Sequence, residues 1–432
     1  MTLAEIRQKI ESGAIDATLT DGLAVPQNKI TEERKRYIKT SEEFEKLYGD
    51  GDVSVFSVGG RTEVSGNHTD HNYGRVIAAS VNLDIIAFAK KRDDGIVSLT
   101  SEGFDPDFVT PDAIEAPNEE TMFHSPSLIA GMERAFRDAG YKIGGFDAYT
   151  TSSVIKGSGL SSSAAFEVMV GNILNYLYND GIVSNVEIAK MAQFSENVFF
   201  GKPCGLMDQT ACAVGGFITI DFADPKSPVI EKIDFDLTKA GYNLCIVNTG
   251  GSHSDLNDDY ASIPAEMKSV ARELGANVLR ETSADALKKA LAERGDEMRE
   301  KLGDRAIMRA FHFFSENERV DAQVKALKCG DLDGFMNGVV SSGSSSFKFL
   351  QNVYTTKNVS EQGLSLALCL TEDFLRGTRG VCRVHGGGFA GTIQAFVPRE
   401  LTDDYAAMID GVFGVGACHI LSVRKNGACR VL

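Results

Sequence analysis

The spacing of apolar residues along this chain alternates between two periods. Where apolar and polar residues alternate one by one, as in Val53–Val58, the pattern predicts a β-strand. Where apolar residues recur every three or four positions, as in residues 1–47 and 258–370, the pattern predicts helices. Such a mixture indicates a fold built from both helices and strands. Further strands are predicted at residues 77–89, 95–100, 217–222, 244–248, 380–396 and 417–423, and further helices at residues 166–177 and 186–200.

Composition and charge restrict the classes of partner and compartment. The chain has 432 residues, enough for two packed domains, and its net charge of −16 argues against nucleic acid or an anionic membrane as a partner. The eight cysteines lack metal-site spacing and lie mostly in or beside apolar runs, so we expect reduced core thiols. Residues 1–7 lack the apolar core of a signal peptide, and no apolar run reaches membrane-spanning length. We therefore expect a cytoplasmic protein.

A glycine- and serine-rich run at residues 156–165 has the composition of a phosphate loop, the name used for it below. Gly157 and Gly159 permit a tight turn and a close approach to a ligand, and Ser161–Ser163 can supply a helix N-cap and hydroxyl groups. The apolar residues that follow at helical spacing place this run at a helix N-terminus, which attracts anions. The alternative is an ordinary serine-capped helix after a glycine turn.

Two better-known phosphate loops do not match this run. The Walker pattern requires a lysine before its final serine or threonine, and no lysine follows Gly159 at that place. The dinucleotide-binding pattern requires a third glycine where Ser162 stands. The run therefore predicts a phosphate loop of another kind.

The segment from Gly60 to Gly74 places arginine, asparagine, aspartate and two histidines between glycines. So many hydrogen-bonding side chains are costly to bury, and together they suit a loop that binds a polyhydroxylated ligand. A metal site at His68, Asp70 and His71 is one alternative, although three ligands crowded on one short loop match no common zinc pattern. A solvent-exposed polar turn is the other alternative.

A third glycine run, Gly386–Gly391, satisfies the formula G-x-G-x-x-G of dinucleotide-binding loops. The residues after it, Thr392–Pro398, alternate like a strand, whereas a dinucleotide-binding loop has to open a helix. We therefore expect a tight turn that precedes a strand and packs near the phosphate loop.

Together these three segments resemble the sequence motifs of the GHMP small-molecule kinases, and most closely those of the galactokinase branch of that family. Residues 201–209, Gly-Lys-Pro-Cys-Gly-Leu-Met-Asp-Gln, are similar to the stretch around the catalytic aspartate of that branch. Four motifs in the family's order are more specific than any one of them, and they extend from Gly60 to Gly391. The resemblance covers nearly the whole chain except its N-terminal helical segment.

The resemblance implies a two-domain α+β fold with the active site in the cleft between the domains. Residues 1–47 would form an N-terminal extension packed on the first domain, residues 48–230 the first domain and residues 231–432 the second. The implied activity is transfer of the ATP γ-phosphoryl group to the anomeric hydroxyl of D-galactose, with Mg²⁺ as cofactor. The expected partners are the sugar and ATP, and the expected state is a monomer or weak homo-oligomer.

The resemblance also implies roles for individual residues. Asp208 matches the catalytic base and Arg61 the stabiliser of the transition state, and pairing with Arg61 is expected to lower the pKa of Asp208. Ser163 and Glu196 match the pair that binds Mg²⁺. The other residues carried over are Asn67, His68, Thr69, Asp70, Gly205 and Tyr260 for the sugar, and Ser101, Gly157, Ser158, Gly159, Leu160, Ser161, Ser162 and Ser163 for the nucleotide.

Two residues depart from the usual motifs at the sugar-binding segment. Asn67 stands where glutamate is usual and His71 where tyrosine is usual, which alters a contact at the distal end of the sugar. These residues leave open a related substrate, such as N-acetylgalactosamine or L-arabinose. A regulator that binds sugar and ATP without catalysis is a further alternative, but such relatives have lost residues from the phosphate loop, whereas residues 157–165 are complete here.

Overall fold

The computed structural model describes residues 1–154, 159–251 and 256–432. Within these ranges the chain forms twelve α-helices and twelve β-strands. None of the described helices is both long and apolar enough to cross a membrane. The helices are α1 (Leu3–Glu11), α2 (Ile30–Tyr48), α3 (Ser125–Asp138), α4 (Ser162–Tyr178), α5 (Asn185–Phe194), α6 (Met207–Val214), α7 (Asn257–Glu273), α8 (Ala284–Leu302), α9 (Asp304–Cys329), α10 (Leu332–Ser345), α11 (Gly363–Phe374) and α12 (Thr402–Phe413). The strands are β1 (Ser54–Ser65), β2 (Arg75–Lys91), β3 (Val97–Ser101), β4 (Asp107–Val109), β5 (Phe146–Ser152), β6 (Phe217–Asp221), β7 (Val229–Ile233), β8 (Tyr242–Asn248), β9 (Val381–Val384), β10 (Thr392–Pro398), β11 (Cys418–Leu421) and β12 (Cys429–Arg430).

The first sheet has eight strands. Strands β12, β1, β2, β5, β3 and β4 lie side by side in this order, and β6 and β7 extend the sheet from β2. All neighbouring strands are antiparallel except β3 and β5, which are parallel. Strand β12 lies far along the sequence from its neighbour β1, with Arg430 opposite Phe56. The domain limits given in the sequence analysis stay a prediction. Residues 429–430, which that prediction places in the second domain, pair with the sheet formed mainly by residues 54–233.

Alternate side chains of the first sheet face two different apolar cores. Phe56 and Ala87 lie in a core that includes buried side chains of α3 to α6. Val55 and Ile86, one position away in each strand, lie instead in a core with Tyr37 of α2 and with buried residues of α1. Because successive residues of a strand point to opposite faces, the period-two pattern here buries both faces of the sheet.

The second sheet has four antiparallel strands in the order β11, β8, β10 and β9. Within residues 380–396, where strands are predicted, the structure has β9 and β10, and the glycine run turns the chain between them. Gly388 has a φ of +80°, and a Cβ there would lie 1.9 Å from the carbonyl oxygen of Asn352. The prediction of a tight turn before a strand is therefore confirmed, and glycine is required at this position.

Strand β1 is longer than the sequence pattern predicts. The alternation indicates a strand that ends at Val58, yet pairing with β2 continues to Ser65 through register shifts at Gly59/Arg61 and Glu63/Ser65. These shifts are β-bulges, which let the strand bend while it stays paired. Arg61 and Glu63 consequently lie on a strand, and the polar loop is the shorter segment of residues 66–74.

Asp84 joins the N-terminal helices to the first sheet. Arg36 of α2 donates from Nη1 to Asp84 Oδ1 at 2.7 Å and from Nη2 to the Asp84 carbonyl at 3.0 Å. Ser57 donates its hydroxyl to Oδ2, and Nη1 of the fully buried Arg424 lies 3.6 Å from the same oxygen. One buried carboxylate thus neutralises two arginines that come from distant parts of the chain.

Replacing Asp84 by alanine should lower the free energy of unfolding by about 3–5 kcal/mol, because Arg424 would keep a buried charge without its carboxylate. Urea unfolding followed by circular dichroism measures this difference. The control is Glu115→Ala, which breaks a pair with Arg137 on the protein surface and should change stability little. Equal effects of the two substitutions would contradict the role given to Asp84.

Candidate active site

Arg61 and Asp208 form a two-bonded ion pair at the centre of the site. Arg61 lies on β1, and Asp208 is the second residue of α6. Arg61 Nε donates to Asp208 Oδ1 at 2.6 Å, and Nη2 donates to Oδ2 at 2.7 Å. The Arg61 side chain is 9% exposed, whereas that of Asp208 is 31% exposed, so the carboxylate remains accessible to a ligand. The pair that the sequence analysis expects is thus present in the structure.

The surroundings of Asp208 favour its ionised form. Burial alone would raise its pKa, but the charge and hydrogen bonds of Arg61 and the hydroxyl of Ser161 bring the pKa below its usual value. The position of Asp208 in the first turn of α6 adds the favourable field of a helix N-terminus. We conclude that Asp208 is an anion at neutral pH and is held in one orientation.

The same two residues anchor the described end of the phosphate loop. Arg61 Nη1 donates to the Gly159 carbonyl, the Arg61 amide donates to the Leu160 carbonyl at 3.1 Å, and Ser161 donates its hydroxyl to Asp208. Gly159 has a φ of +72°, a conformation that glycine adopts readily. Gly157 and Ser158, which the sequence analysis assigns to the nucleotide, lie outside the described residues.

The serine run does open a helix, but Ser161 does not cap it with its side chain. Ser161 stands at the N-cap position of α4 with a φ of +54°, and no side-chain capping bond is formed there. Its hydroxyl is directed to Asp208 instead. Ser162 and Ser163 begin the helix and are partly exposed. The expected serine cap is therefore corrected: Ser161 has a left-handed backbone conformation, whereas a capping serine is typically extended.

A cluster of carboxyl and amide groups lies behind this pair. Glu196 is 3% exposed and accepts a hydrogen bond from Gln209 Nε2 at 2.7 Å, while Lys202 Nζ lies 3.2 Å from its other oxygen. Gln209 Nε2 also lies 3.3 Å from Glu167 Oε2. Burial, with Glu196 nearby, raises the pKa of Glu167 well above its usual value.

Sequence reasoning missed Glu167, Lys202 and Gln209. Gln209 directly follows Asp208, and Glu167 follows Ser163 by four residues, which is the spacing of neighbours on one face of a helix. That spacing was a signal that Ser163 and Glu167 share a face of α4. The sequence gives no comparable signal for Lys202, whose contact with Glu196 depends on the turn at Gly201.

Asn67 is fully buried, and protein groups engage both atoms of its amide. Its Nδ2 donates to Glu63 Oε1 at 2.8 Å and to the Gly386 carbonyl at 2.7 Å. Its Oδ1 accepts from Asn352 Nδ2 at 2.7 Å and from Ser346 Oγ at 3.4 Å. The residue that replaces the usual glutamate therefore ties the polar loop to the glycine run and to the segment after α10.

Thr69 and Asp70 of the polar loop have different neighbours: Thr69 bonds within the loop, and Asp70 faces another segment. The Thr69 hydroxyl bonds to the Gly66 and Arg75 carbonyls at 2.9 and 2.8 Å, so it holds the loop itself together. Asp70 faces the segment before Asp208, because a Cβ on Gly205 would lie 2.6 Å from Asp70 Oδ2. Glycine at position 205 thus lets the two segments meet.

His68 links the polar loop to the glycine run. Its Nε2 lies 2.9 Å from the carbonyl oxygen of Gly387, so this nitrogen carries the hydrogen and donates. Burial and the neighbouring His71 lower the pKa of His68 to about 4. His68 is therefore neutral at physiological pH, and its Nδ1 is left as an acceptor.

Tyr260 is hydrogen-bonded to the glycine run, whereas Ser101 is hydrogen-bonded to a neighbouring strand. The Tyr260 hydroxyl donates to the Gly388 carbonyl at 2.8 Å, and its ring contacts Phe389 edge to face. Ser101, at the end of β3, accepts a hydrogen bond from Thr150 on β5 at 3.0 Å. Among the hydrogen bonds of the described residues, none joins Ser101 to the phosphate loop, and its assignment to the nucleotide stays a prediction.

Comparison with known proteins identifies the class. Residues 127–216 match the family described as GHMP kinases N terminal domain, and residues 42–91 match the galactokinase galactose-binding signature. The structure is similar to that of Lactococcus lactis galactokinase complexed with galactose, with a TM-score of 0.76, 24% identity and coverage of 92% of this chain and 100% of the other. With the phosphate loop at the start of α4, these matches make the chain a GHMP kinase.

Sequence similarity to curated relatives identifies the family within that class. The chain is 32% identical to a galactokinase of Streptomyces coelicolor over 86% of its own length and 92% of the relative. It is 30% identical to a galactokinase of Lactobacillus helveticus over 88% of its length and 92% of the relative. The chain belongs to the galactokinase family.

The Asn67 contacts generate a stability prediction. Asn67→Asp replaces the donor Nδ2 by an oxygen facing the Glu63 carboxylate and the Gly386 carbonyl, which should lower the free energy of unfolding by at least about 2 kcal/mol. Urea unfolding measures the change. His71→Tyr, at an exposed position of the same loop, is the control and should stay within about 0.5 kcal/mol. Unchanged stability of Asn67→Asp would show that these contacts do not hold the loop.

Proposed function

We propose that this protein is a galactokinase that transfers the γ-phosphoryl group of ATP to the anomeric hydroxyl of D-galactose, giving galactose 1-phosphate and ADP. Family membership supports the activity, and the match to the galactose-binding signature supports the sugar. The observation that carries the proposal is the place of Asp208, bonded to Ser161 of the phosphate loop and three residues from Gly205, which meets the polar loop. We retain the prediction of a cytoplasmic monomer or weak homo-oligomer.

We assign to Asp208 the role of accepting the proton from the reacting sugar hydroxyl. Its lowered pKa makes it a weak base, but a loose phosphoryl-transfer transition state requires little base strength. The ionised carboxylate can still orient the hydroxyl for in-line attack. Arg61, fixed by the same carboxylate, would neutralise negative charge on the transferred group. The ion pair supports the acceptor role proposed for Asp208 and the electrostatic role proposed for Arg61.

Membership in this kinase family implies ATP as the phosphoryl donor, and we assign Mg²⁺ to Ser163 and Glu196. Both residues offer the oxygen ligands that Mg²⁺ prefers, and buried oxygens of Glu167 and Gln209 near Glu196 have no hydrogen-bond partner among the described residues. The donor set therefore fits a cation. Residues 1–154, 159–251 and 256–432 contain no group of three His, Cys, Asp or Glu side chains suited to a metal. Phosphate and water oxygens would complete the coordination, and the bound cation would neutralise phosphate charge.

A related sugar is the second candidate substrate, because the Asn67 amide is not free. Protein partners occupy its oxygen and its nitrogen, so the position of the usual glutamate offers no carboxylate to a sugar hydroxyl. A sugar that differs at its distal end, such as N-acetylgalactosamine or L-arabinose, would not require that contact. His71, 42% exposed on its side chain, lies on the same loop.

The substrate is tested by measuring ATP consumption by the purified protein with Mg²⁺ and each of D-galactose, N-acetylgalactosamine, L-arabinose, glucose and mevalonate. We expect turnover with D-galactose well above that with glucose or mevalonate. Turnover with another sugar alone would replace galactose as the substrate. Sugar and ATP binding without turnover on any compound would contradict the kinase proposal and favour a regulator.

The role of Asp208 is tested by Asp208→Asn. The amide cannot accept the hydroxyl proton as a carboxylate does, so kcat should fall by about 10²–10⁴-fold. Isothermal titration should still detect sugar binding, because the residues of the polar loop assigned to the sugar are unchanged in this variant. The control is Asp221→Asn, which removes a carboxylate paired with Arg75 and Arg280 and should preserve kcat. Full turnover of Asp208→Asn would refute the assignment.

A further inference from the structure

The two carboxylate oxygens of Glu196 have different partners, one buried and the other exposed to solvent. Oε2 accepts a hydrogen bond from Gln209 Nε2 at 2.7 Å, and Oε1 lies 3.2 Å from the ammonium of Lys202. Glu196 and Gln209 are buried, whereas the Lys202 side chain is 60% exposed. One oxygen is therefore fixed from inside the protein, and the other is covered by a side chain that reaches in from solvent.

The inner contact belongs to a cluster with more acceptors than hydrogens. Gln209 Nε2 has two hydrogens but lies within 3.4 Å of three acceptors, Glu196 Oε2, Glu167 Oε2 and Cys204 Sγ. An ionised carboxylate only accepts, so the amide nitrogen, and not the amide oxygen, faces Glu196 Oε2. Glu167 Oε1 and Gln209 Oε1 are buried without a partner among the described residues. Buried oxygen atoms that lack a donor in this way are suited to a cation that binds at Glu196.

Lys202 is placed to supply that positive charge only at the outer edge of the cluster. It lies on the short segment between Gly201 and Leu206, and its ammonium touches the oxygen of Glu196 that Gln209 leaves uncovered. An exposed lysine paired at 3.2 Å gains little free energy from the contact. It can therefore give up its place to a more highly charged cation.

We propose that Lys202 occupies the cation-binding oxygen of Glu196 and leaves it when a divalent cation binds with the nucleotide, while Gln209 holds the other oxygen. The inference rests on the proposed function insofar as Glu196 is taken as a Mg²⁺ ligand. Lys202 then competes with the cation, and Gln209 is a positioning residue that keeps the carboxylate aimed. Substitutions on the two sides of one carboxylate should consequently change cation affinity in opposite directions.

The test uses Mn²⁺ as the probe, bound to the full-length protein with saturating ADP and no sugar, with free Mn²⁺ measured by electron paramagnetic resonance. Lys202→Gln should tighten Mn²⁺ binding by about two- to fivefold, because a surface ion pair no longer competes. Gln209→Leu should weaken it by about tenfold or more, as expected when a group that orients a metal ligand is lost. Unchanged or weaker binding by Lys202→Gln would overturn the proposal.

Two matched controls separate this effect from general damage. Gln323 is also buried, donates to the Phe335 carbonyl at 3.3 Å and has an unpartnered Oε1 among the described residues, so Gln323→Leu reproduces the packing change of Gln209→Leu at a distant position. Lys328→Gln removes a lysine paired with Glu231. Neither control should change Mn²⁺ affinity, and a shift equal to that of the matched variant would overturn the proposal. Lys202 is exposed, so Lys202→Gln should fold and decides the question even if Gln209→Leu does not.

The outcomes also separate this inference from the proposed function. Galactose turnover by the unsubstituted protein, with Mn²⁺ affinity unchanged in Lys202→Gln, would remove the inference and leave the function. Opposite shifts of Mn²⁺ affinity in a protein that phosphorylates no sugar would support the inference and remove the function.

Discussion

The ion pair between Arg61 and Asp208 is the contact on which the geometry of the site depends. It joins a strand of the first sheet to the first turn of α6, 147 residues further along the chain. Each partner also bonds to the phosphate loop, Arg61 through the Gly159 carbonyl and Asp208 through the Ser161 hydroxyl. Because Arg61 is nearly buried, its charge has to be balanced by a carboxylate within reach. The same requirement therefore fixes the carboxylate, the guanidinium and the loop in one arrangement.

A second polar network holds the polar loop against the other half of the molecule. Asn67 and His68 reach the carbonyl groups of the glycine run, and the buried Arg383 of β9 contacts Glu63 of β1 at 3.3 Å. Loss of any one of these bonds would leave a buried polar group unsatisfied, so the bonds restrain the loop. The loop is thus positioned from two sheets at once, and its shape depends on residues far from it in sequence.

Eight of the twelve strands, the helix after the phosphate loop and the turn before β10 could be predicted from sequence, because each depends on local period and on glycine, whereas β4, β5, β7 and β12 were missed. The continuation of β1 through Arg61 to Ser65 could not, since two bulges maintain pairing where the alternation ends. The hydrogen bonds of Asn67 could not be predicted from sequence either, because Ser346 and Asn352 lie 279 and 285 residues away and no local pattern indicates the contact. Family resemblance supplied Asp208 and Glu196, but not Gln209, whose importance comes from the two carboxylates around it.

The pairing of β12 with β1 has a consequence for synthesis of the protein. Val55 donates its amide to the Leu432 carbonyl at 2.9 Å, and Val431 donates to the Val55 carbonyl at 2.7 Å, so the outer edge of β1 is completed by residues synthesised after the second sheet. While the ribosome adds the second sheet and its helices, that edge has unpaired amide and carbonyl groups, which can pair with other chains. Closure of the first sheet therefore has to wait for synthesis of residues 429–432, and a nascent chain stalled before residue 429 would leave the edge of β1 unpaired.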